Sequence, residues 1–365
     1  MINKLVLANL KHRWVRTVLS AVVIGVQVTT ILTLVGLSQG MLEDSARRAR
    51  GVGAEIWLRP EGANSFTLAS AQINEKFVSL VSKQPHVQMA LGVVIAQIFG
   101  FTTMAGVDLD KFVTMSGGFK YLEGGPPTGP DDILVDDYYQ RESKVKAGQT
   151  VKLLNHNWRV AGVVEEGKLS HLIASKERLQ ELTGNQGRVT QIVVKLDNPA
   201  NTQTVINQLN ELLKGNLRAV SIGELTSLYS VNSLPPLKAF INIVIGLSII
   251  VGFLVVFLSM YTAVLERTRE IGILKALGAK PITIINILVR ETLVLALVGS
   301  VIGILLTFGA KGLIMTIVPA SIQVVNVPDW WPTAAAIAIV GALLGAVYPG
   351  MKAAKQDAIE ALAYD

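Results

Sequence analysis

The 365-residue chain contains no cysteine. That excludes a disulfide scaffold, a thiolate metal site and a cysteine nucleophile. It has only four histidines, His12, His86, His156 and His171, and none has metal-ligand spacing. They read as surface or local hydrogen-bonding residues. Charge is also scarce: 16% of residues are Asp, Glu, Lys or Arg, against about 25% in average soluble domains. Half of the residues are hydrophobic and the mean hydropathy is +0.46. These values argue against a disordered chain and against an ordinary soluble enzyme. No Ser/His/Asp constellation can be singled out. The formal charge of +6 keeps a nucleic-acid binder in view until the charges are located.

What the chain has is long apolar runs. Four are long enough to cross a bilayer, which takes about 20 residues in a helix. They cover residues 18–37, 239–265, 282–308 and 332–349, the third interrupted by Arg290 and Glu291. The first exceeds a signal-peptide core of roughly 7–15 residues, and no small-residue cleavage site follows it. It reads as an uncleaved transmembrane helix. Trp330 and Trp331 before Pro332 suit an interfacial belt with proline opening the last helix.

Lys and Arg near the span ends set the orientation. Lys4, Lys11, Arg13 and Arg16 precede the first span. Arg267, Arg269, Lys275, Lys280 and Arg290 surround the connection between the second and third, and Lys352 and Lys355 follow the fourth. Opposite them, the connection between the third and fourth spans carries only Lys311. The pattern predicts a multi-pass membrane protein with both termini cytoplasmic. Its segments are a cytoplasmic amphipathic lead-in (1–17), spans at 18–38, 237–265, 282–310 and 332–350, an extracytoplasmic domain (39–236), a cytoplasmic turn (266–281), a short outer loop (311–331) and a cytoplasmic tail (351–365).

Residues 39–236 hold 20 basic and 20 acidic side chains, so the whole excess charge sits in the membrane-associated remainder. That removes the nucleic-acid reading. The region has the pattern of a folded domain. Strand-like runs fall at 54–58, 87–97, 150–154, 159–164 and 189–196. Ile73, Phe77, Leu80 and Val81 share one helical face. Val205, Ile206, Leu209, Leu212 and Leu213 share another, opened by Asn198-Pro199 and followed by a strand at 217–221. The fold class expected is an α-helical membrane protein with four transmembrane helices. Between the first and second lies a large α+β domain of two βαβ-like units plus a β-rich insert at about 108–187.

The stretch 239–276 would be about 57 Å long as one helix, against a bilayer core of about 30 Å. It must tilt, project or break. Glu266 lies at i,i+3 and i,i+4 from Arg269 and Glu270, and Ile273, Ala276 and Leu277 form a small apolar patch. Gly278 can end the helix and Pro281 can start the next.

The run from Arg269-Glu270-Ile271-Gly272-Ile273-Leu274-Lys275 through Ala276-Leu277-Gly278-Ala279 resembles the signature of the FtsX-like permeases, which include the MacB, LolC/LolE, DevC and HrtB types. Residues 7–19 are similar to that family's amphipathic N-terminal helix and residues 349–362 to its closing segment. Residues 132–135, 145–151 and 160–164 are similar to its extracytoplasmic core. The resemblance covers essentially the whole chain.

That resemblance implies an ABC transporter permease working as a dimer, with a second copy or a paralogue, beside a separate ATPase subunit. The chain itself would bind no cofactor and hold no catalytic site; ATP and Mg belong to the ATPase. The turn between the second and third spans would be the coupling helix that docks on that ATPase, through Glu266, Arg269, Glu270, Gly272, Lys275, Leu277 and Gly278. MacB types carry a fused ATPase domain, and only about 17 residues precede the first span here, which calls for a separate subunit. The family implies mechanotransmission: the outer domains move on a hydrophobic, lipid-like or peptide substrate, with a periplasmic adaptor protein and membrane lipids as further partners. A signalling subunit regulating a cell-wall hydrolase, as FtsX itself does, is the alternative. A membrane-anchored binding protein without an ATPase is a third reading.

Other motifs carry less. Residues 162–168 match the Gly and Lys positions of a P-loop, but Leu169 stands where the Mg²⁺-binding Ser/Thr belongs, so a turn between strands is expected. Asp131-Asp132 and Asp136-Asp137 flank an apolar run and read as a solvated strand edge. Met89, Met104 and Met115 read as core. Gly299-x-x-x-Gly303 and Gly341-x-x-x-Gly345 are close-packing signals for transmembrane helices. Gln27, Thr29, Thr30 and Thr33 make the first span polar. They serve interhelical hydrogen bonds, or else Gln27, Thr30 and Thr33 line a dimer seam or substrate path. Arg290 and Glu291 are expected to snorkel or pair.

Overall fold

The computed structural model describes residues 8–9, 11–61, 72–99, 102–231, 234–317 and 324–356. Lys4, Leu7, Leu10 and the closing run 358–362 lie outside them. The chain divides into two compact units. One comprises Met1–Gln39, Pro235–Ile317 and Val324–Asp365; the other comprises Gly40–Leu234 and Val318–Gln323.

The first helix, α1 (Trp14–Arg50), is one 37-residue element, longer than the expected span at 18–38. Its polar end stays helical for a local reason. Asp44 pairs with Arg47 and Arg48 one turn on, and Arg47, Arg48 and Arg50 place positive charge against the negative end of the helix dipole.

The domain then runs β1 (Ile56–Pro60), β2 (Ile73–Asn74), α2 (Lys76–Val81), β3 (Val87–Phe99), β4 (Thr102–Val107), α3 (Leu109–Ser116), β5 (Tyr121–Gly124) and β6 (Asp132–Asp136). It continues α4 (Asp137–Ser143), β7 (Thr150–Leu153), β8 (His156–Val164), β9 (Leu172–Ser175), α5 (Lys176–Thr183), β10 (Arg188–Val189), β11 (Gln191–Leu196), α6 (Thr202–Leu212), β12 (Leu217–Ser221) and α7 (Ile222–Leu228). Four strands lie in the order β12–β1–β11–β3, each antiparallel to its neighbours. β1 and β3 therefore run parallel on either side of β11, joined through α2. β11 and β12 run parallel on either side of β1, joined through α6. These are the two expected strand–helix–strand units, interleaved in the ferredoxin-like manner.

The insert grows out of β3. Residues 87–93 of that strand pair with β11, and 94–99 pair with β4. The sheet continues β4–β9–β6–β8. On the far edge of β8, β7 pairs along its start and β5 along its end. The insert thus begins before the expected residue 108. Thr190 stitches its exit to its entrance: its N–H and hydroxyl both donate to the Val93 carbonyl, and its hydroxyl accepts from Ile95 N–H.

Strand alternation buries both faces of the sheet. Ile56, Leu58, Ile133, Val135, Met104 and Trp158 face one core, closed by α2, α5 and α6. Trp57, Leu134, Val193, Phe112 and Met115 face the other, closed by α3 and α7. Met104 and Met115 are core residues, as expected. Two amphipathic readings need correction. Ile73 belongs to β2, so α2 is only six residues long, and Leu212 points to solvent.

The acidic pairs around 131–137 are not a solvated edge. β6 is an interior strand between β9 and β8, and Asp132 and Asp136 are both 3% exposed. Each is buried because it is fully paired. Asp132 accepts from Thr128 N–H, Gly129 N–H and both sides of the Arg159 fork, which holds its carboxyl far below the usual carboxylate range. Asp136 caps α4 through Tyr139 N–H and lies 2.6 Å from His171 Nδ1. The Arg48 guanidinium donates to His171 Nε2 at 2.6 Å, which leaves the ring proton on Nδ1, facing Asp136. The P-loop look-alike is the connection from β8 to β9. Lys168 donates to the carbonyls of Ser116 and Gly118, beyond the end of α3.

Glu142 at the end of α4 carries a pH signature. Burial, then the nearby Asp136 charge, push its carboxyl up to about 7. A carboxyl raised on folding favours the native state below its unfolded value near 4.5, and that contribution is lost as pH rises through about 7. Glu142→Gln should therefore raise the melting temperature more at pH 8 than at pH 5. An equal effect at both values would refute the assignment.

The first-named unit holds α8 (Pro235–Glu266), α9 (Thr268–Ala276), α10 (Pro281–Ile317) and α11 (Trp331–Lys355). α1, α8, α10 and α11 are long and apolar enough to cross a membrane. α11 packs against both α8 and α10 along a buried stripe of Ala334, Ala338, Ala342 and Ala346, one residue per turn. Small side chains at that spacing let backbones approach closely.

Candidate functional site

The connection between the second and third long helices is a short helix of its own. α8 stops at Glu266, Arg267 leaves helical geometry (φ −111°, ψ 16°), and α9 restarts at Thr268. Of the three options for an over-long helix, the chain breaks. The break has a tertiary cause. Arg267 is 7% exposed and donates to Glu291 on α10 at 3.3 Å and to the Asn9 carbonyl at 3.1 Å. Glu291 is 1% exposed, with Arg16 at 4.0 Å. Glu266 does not support α9 as its spacing suggested; it pairs with Arg13, just before α1, and with Arg16 on α1.

α9 is two-faced. Thr268, Ile271 and Gly272 are buried, with Ile271 in a small core of Val264, Ile284, Leu288 and Ala353. Arg269, Glu270, Ile273, Ala276 and Leu277 are exposed, Leu277 by 81%. Lys275 turns inward and donates to the Gln356 carbonyl at 2.5 Å. The helix ends in a Schellman motif: Gly278 N–H bonds Lys275 O, Ala279 N–H bonds Leu274 O, and Gly278 has φ +90°. Pro281 then opens α10. A cavity of about 280 Å³ lies beside α9, lined by Asn9, Arg267, Ile271, Ile287 and Glu291 among others.

The glycine pairs differ. A Cβ on Gly303 would lie 2.5 Å from the Gly25 carbonyl and 2.7 Å from Val28 Cβ on α1; on Gly299 it would lie 2.8 Å from Ala21 O. Thr29 Oγ1 donates to Gly303 O at 2.9 Å across the same contact. A Cβ on Gly345 would meet Phe253 O of α8 at 2.7 Å, but on Gly341 it would find only ordinary contacts near 3.7 Å. Gln27 is 6% exposed and its carboxamide lies against Gly252 of α8. Thr30 faces outward, and Thr33 Oγ1 is buried without a partner among the described residues. Arg290 bonds Asn286. The sequence reading missed Arg267 and Asn9; the only available hint was an arginine placed 24 residues before a glutamate inside an apolar run.

Four long apolar helices, a two-part α/β domain between the first and second, and a capped two-faced helix between the second and third define a multi-pass membrane protein of the permease class. Residues 17–212 match the family model described as MacB-like periplasmic core domain, and residues 242–358 match FtsX-like permease C-terminal. The chain belongs to this family of MacB/FtsX-type ABC transporter permeases. A macrolide export ATP-binding/permease protein MacB of Aggregatibacter actinomycetemcomitans is 26% identical over 326 residues, covering 80% of this chain and 50% of that protein. An uncharacterized ABC transporter permease of Mycobacterium tuberculosis H37Rv is 26% identical over 311 residues, covering 82% and 83%. The solved periplasmic region of MacB from Actinobacillus actinomycetemcomitans is 17% identical with a TM-score of 0.38, covering 49% of this chain and 94% of that one. The chain spans about half the length of the first of these relatives.

Proposed function

We propose that this permease converts ATP hydrolysis on a separate ATPase subunit into movement of the domain between α1 and α8, in a dimer of permease chains. The domain would lie outside the cytoplasm, with both termini and α9 on the cytoplasmic side of a bacterial inner membrane. The observation that carries the reading is the two-faced α9. Its buried side anchors it to α8, α10 and α11, while Glu270, Ile273 and Leu277 stay free for a docking surface of apolar contacts ringed by charge. α1 is a single unbroken helix from Trp14 to Arg50. The cargo would be a hydrophobic, lipid-like or peptide molecule.

Two variants test the coupling. Gly278→Val forces a branched side chain into left-handed geometry and costs the helix its cap, roughly 1–2 kcal/mol locally. Glu270→Lys reverses an exposed charge. Both should leave the complex with the ATPase assembled while transport-coupled hydrolysis in proteoliposomes falls about tenfold, the equivalent of 1.4 kcal/mol of coupling. Unchanged transport in both would sink the assignment.

A further inference from the structure

The strongest unexplained feature lies inside the domain, on the face of β1 opposite its main core. Arg59 is 7% exposed, yet its Nε and Nη2 have no hydrogen-bond partner among the described residues. These two atoms form the side-on edge of the guanidinium, the edge that grips two oxygens of one carboxylate or phosphate. Trp57, two residues earlier on the same strand face, is 3% exposed with an unpartnered indole N–H. Gln191 starts the adjacent strand β11, one step beyond the Leu58–Ile192 pair; it is 3% exposed with an unpartnered Oε1. Across the other neighbour, β12, the residue paired with Arg59 is Arg218, a second cation already engaged by Glu224 at 2.8 Å. Burial pushes the Arg59 guanidinium's pKa down, and Tyr229 is the neighbouring group that works against it. Buried charges persist in proteins when they are paired. Here three donors and one acceptor on neighbouring strands have no pair among the described residues.

We propose that Trp57, Arg59 and Gln191 form a binding site for a small oxyanion that also bears a hydroxyl, such as a hydrogen phosphate or a hydroxycarboxylate. Two oxygens of the anion take the Arg59 edge, the Trp57 N–H supplies a third donor, and the ligand hydroxyl donates to Gln191 Oε1. The site is shut off from bulk water, so the anion enters by local opening and exchanges slowly. It is independent of the coupling reading, because it needs neither α9 nor an ATPase.

The test uses the full-length chain in detergent at constant ionic strength. Melting temperature and tryptophan fluorescence are followed in 50 mM sodium phosphate, lactate, acetate or chloride. The expected result is a rise of roughly 3–5 °C in phosphate or lactate, with acetate, which has no hydroxyl, giving less. The phosphate and lactate arms separate the two sources of the same chemistry. A slow fluorescence change should accompany the rise and vanish in Trp57→Phe. Arg59→Met should melt higher than the wild type without anion, because it removes an uncompensated charge, and should lose the anion response. Arg59→Lys keeps the charge but lacks the two-donor edge and should respond weakly. No response from the wild type in any anion, or an equal response in Arg59→Met, would overturn the site and leave Arg59 solvated by buried water alone.

Discussion

Gly303→Leu should separate α1 from α10 and lower the melting temperature of the detergent-solubilised chain by roughly 5–10 °C. The obstacle to any side chain there is backbone: the Gly25 carbonyl stands 2.5 Å from where its Cβ would be. Backbone cannot rotate aside as a rotamer does, so the helices must part. Parting them exposes Ile24, Val28, Ile31 and Leu32, all buried in the shared core, and breaks the bond from Thr29 to Gly303 O. Overpacking typically costs about 1–3 kcal/mol, and loss of the buried contacts adds to it. Gly309 and Gly312 on the same helix supply the control, since a Cβ at either meets nothing within 4 Å. Gly309→Leu should shift the melting temperature by no more than about 2 °C. Leucine's better helix propensity would by itself stabilise both variants, so equal losses at Gly303 and Gly309 would show that the contact with α1 does not set the cost.

Glu291→Leu should be the other severe substitution. It leaves the Arg267 guanidinium, 7% exposed, with only the Asn9 carbonyl as a hydrogen-bond partner among the described residues. Breaking a buried ion pair from one side costs about 3–5 kcal/mol, because a desolvated charge is left behind. Removing both partners is a different experiment. Arg267→Met with Glu291→Leu should recover most of the loss, and a double-mutant cycle of unfolding free energies should report a coupling of about 2 kcal/mol or more. Additive losses would mean that the two side chains act separately. The double variant has a second readout. If the pair is what breaks the helix at residue 267, α8 should run on into α9 once it is gone, and the amides of the first turn of α9 should exchange more slowly while the fold is retained.

Much of the architecture is legible without coordinates, and the reasons are local. Apolar length alone marks α1, α8, α10 and α11. The interleaved strand–helix–strand units are visible because β1, β3, β11 and β12 are mostly apolar runs, largely buried on both faces, and α6 follows an Asn-Pro start. Other signals were present but go unread when hydrophobic runs lead the search. α3 has an Asp108 cap, Asp110 in its first turn and Gly117 in left-handed geometry at its end. α4 is capped by Asp136. The acidic pairs around β6 mislead because aspartate ordinarily marks solvent. Their burial depends on Arg159 and His171, 27 and 35 residues away, which no local pattern announces. The same holds for the hairpin. Its stop at Gly278 and restart at Pro281 are written in the chain, while the break at Arg267 depends on Glu291. Lys275, expected on the docking face, turns inward to the carbonyl of Gln356, the residue just past the end of α11.

The position of Thr190 bears on how such a domain can change over generations. The insert leaves the four-stranded framework after Val93 and rejoins it at Gln191, and Thr190 bonds directly to Val93 across that gap. Departure and return lie side by side, and the insert is tied back further where β10 pairs with β2 and where His171 meets Arg48 of α1. A lineage can lengthen, trim or exchange this cassette while every pairing of β12, β1 and β11, and that of β11 with β3, stays intact. The framework is thus free to be inherited conservatively while the appended half is free to be rewritten.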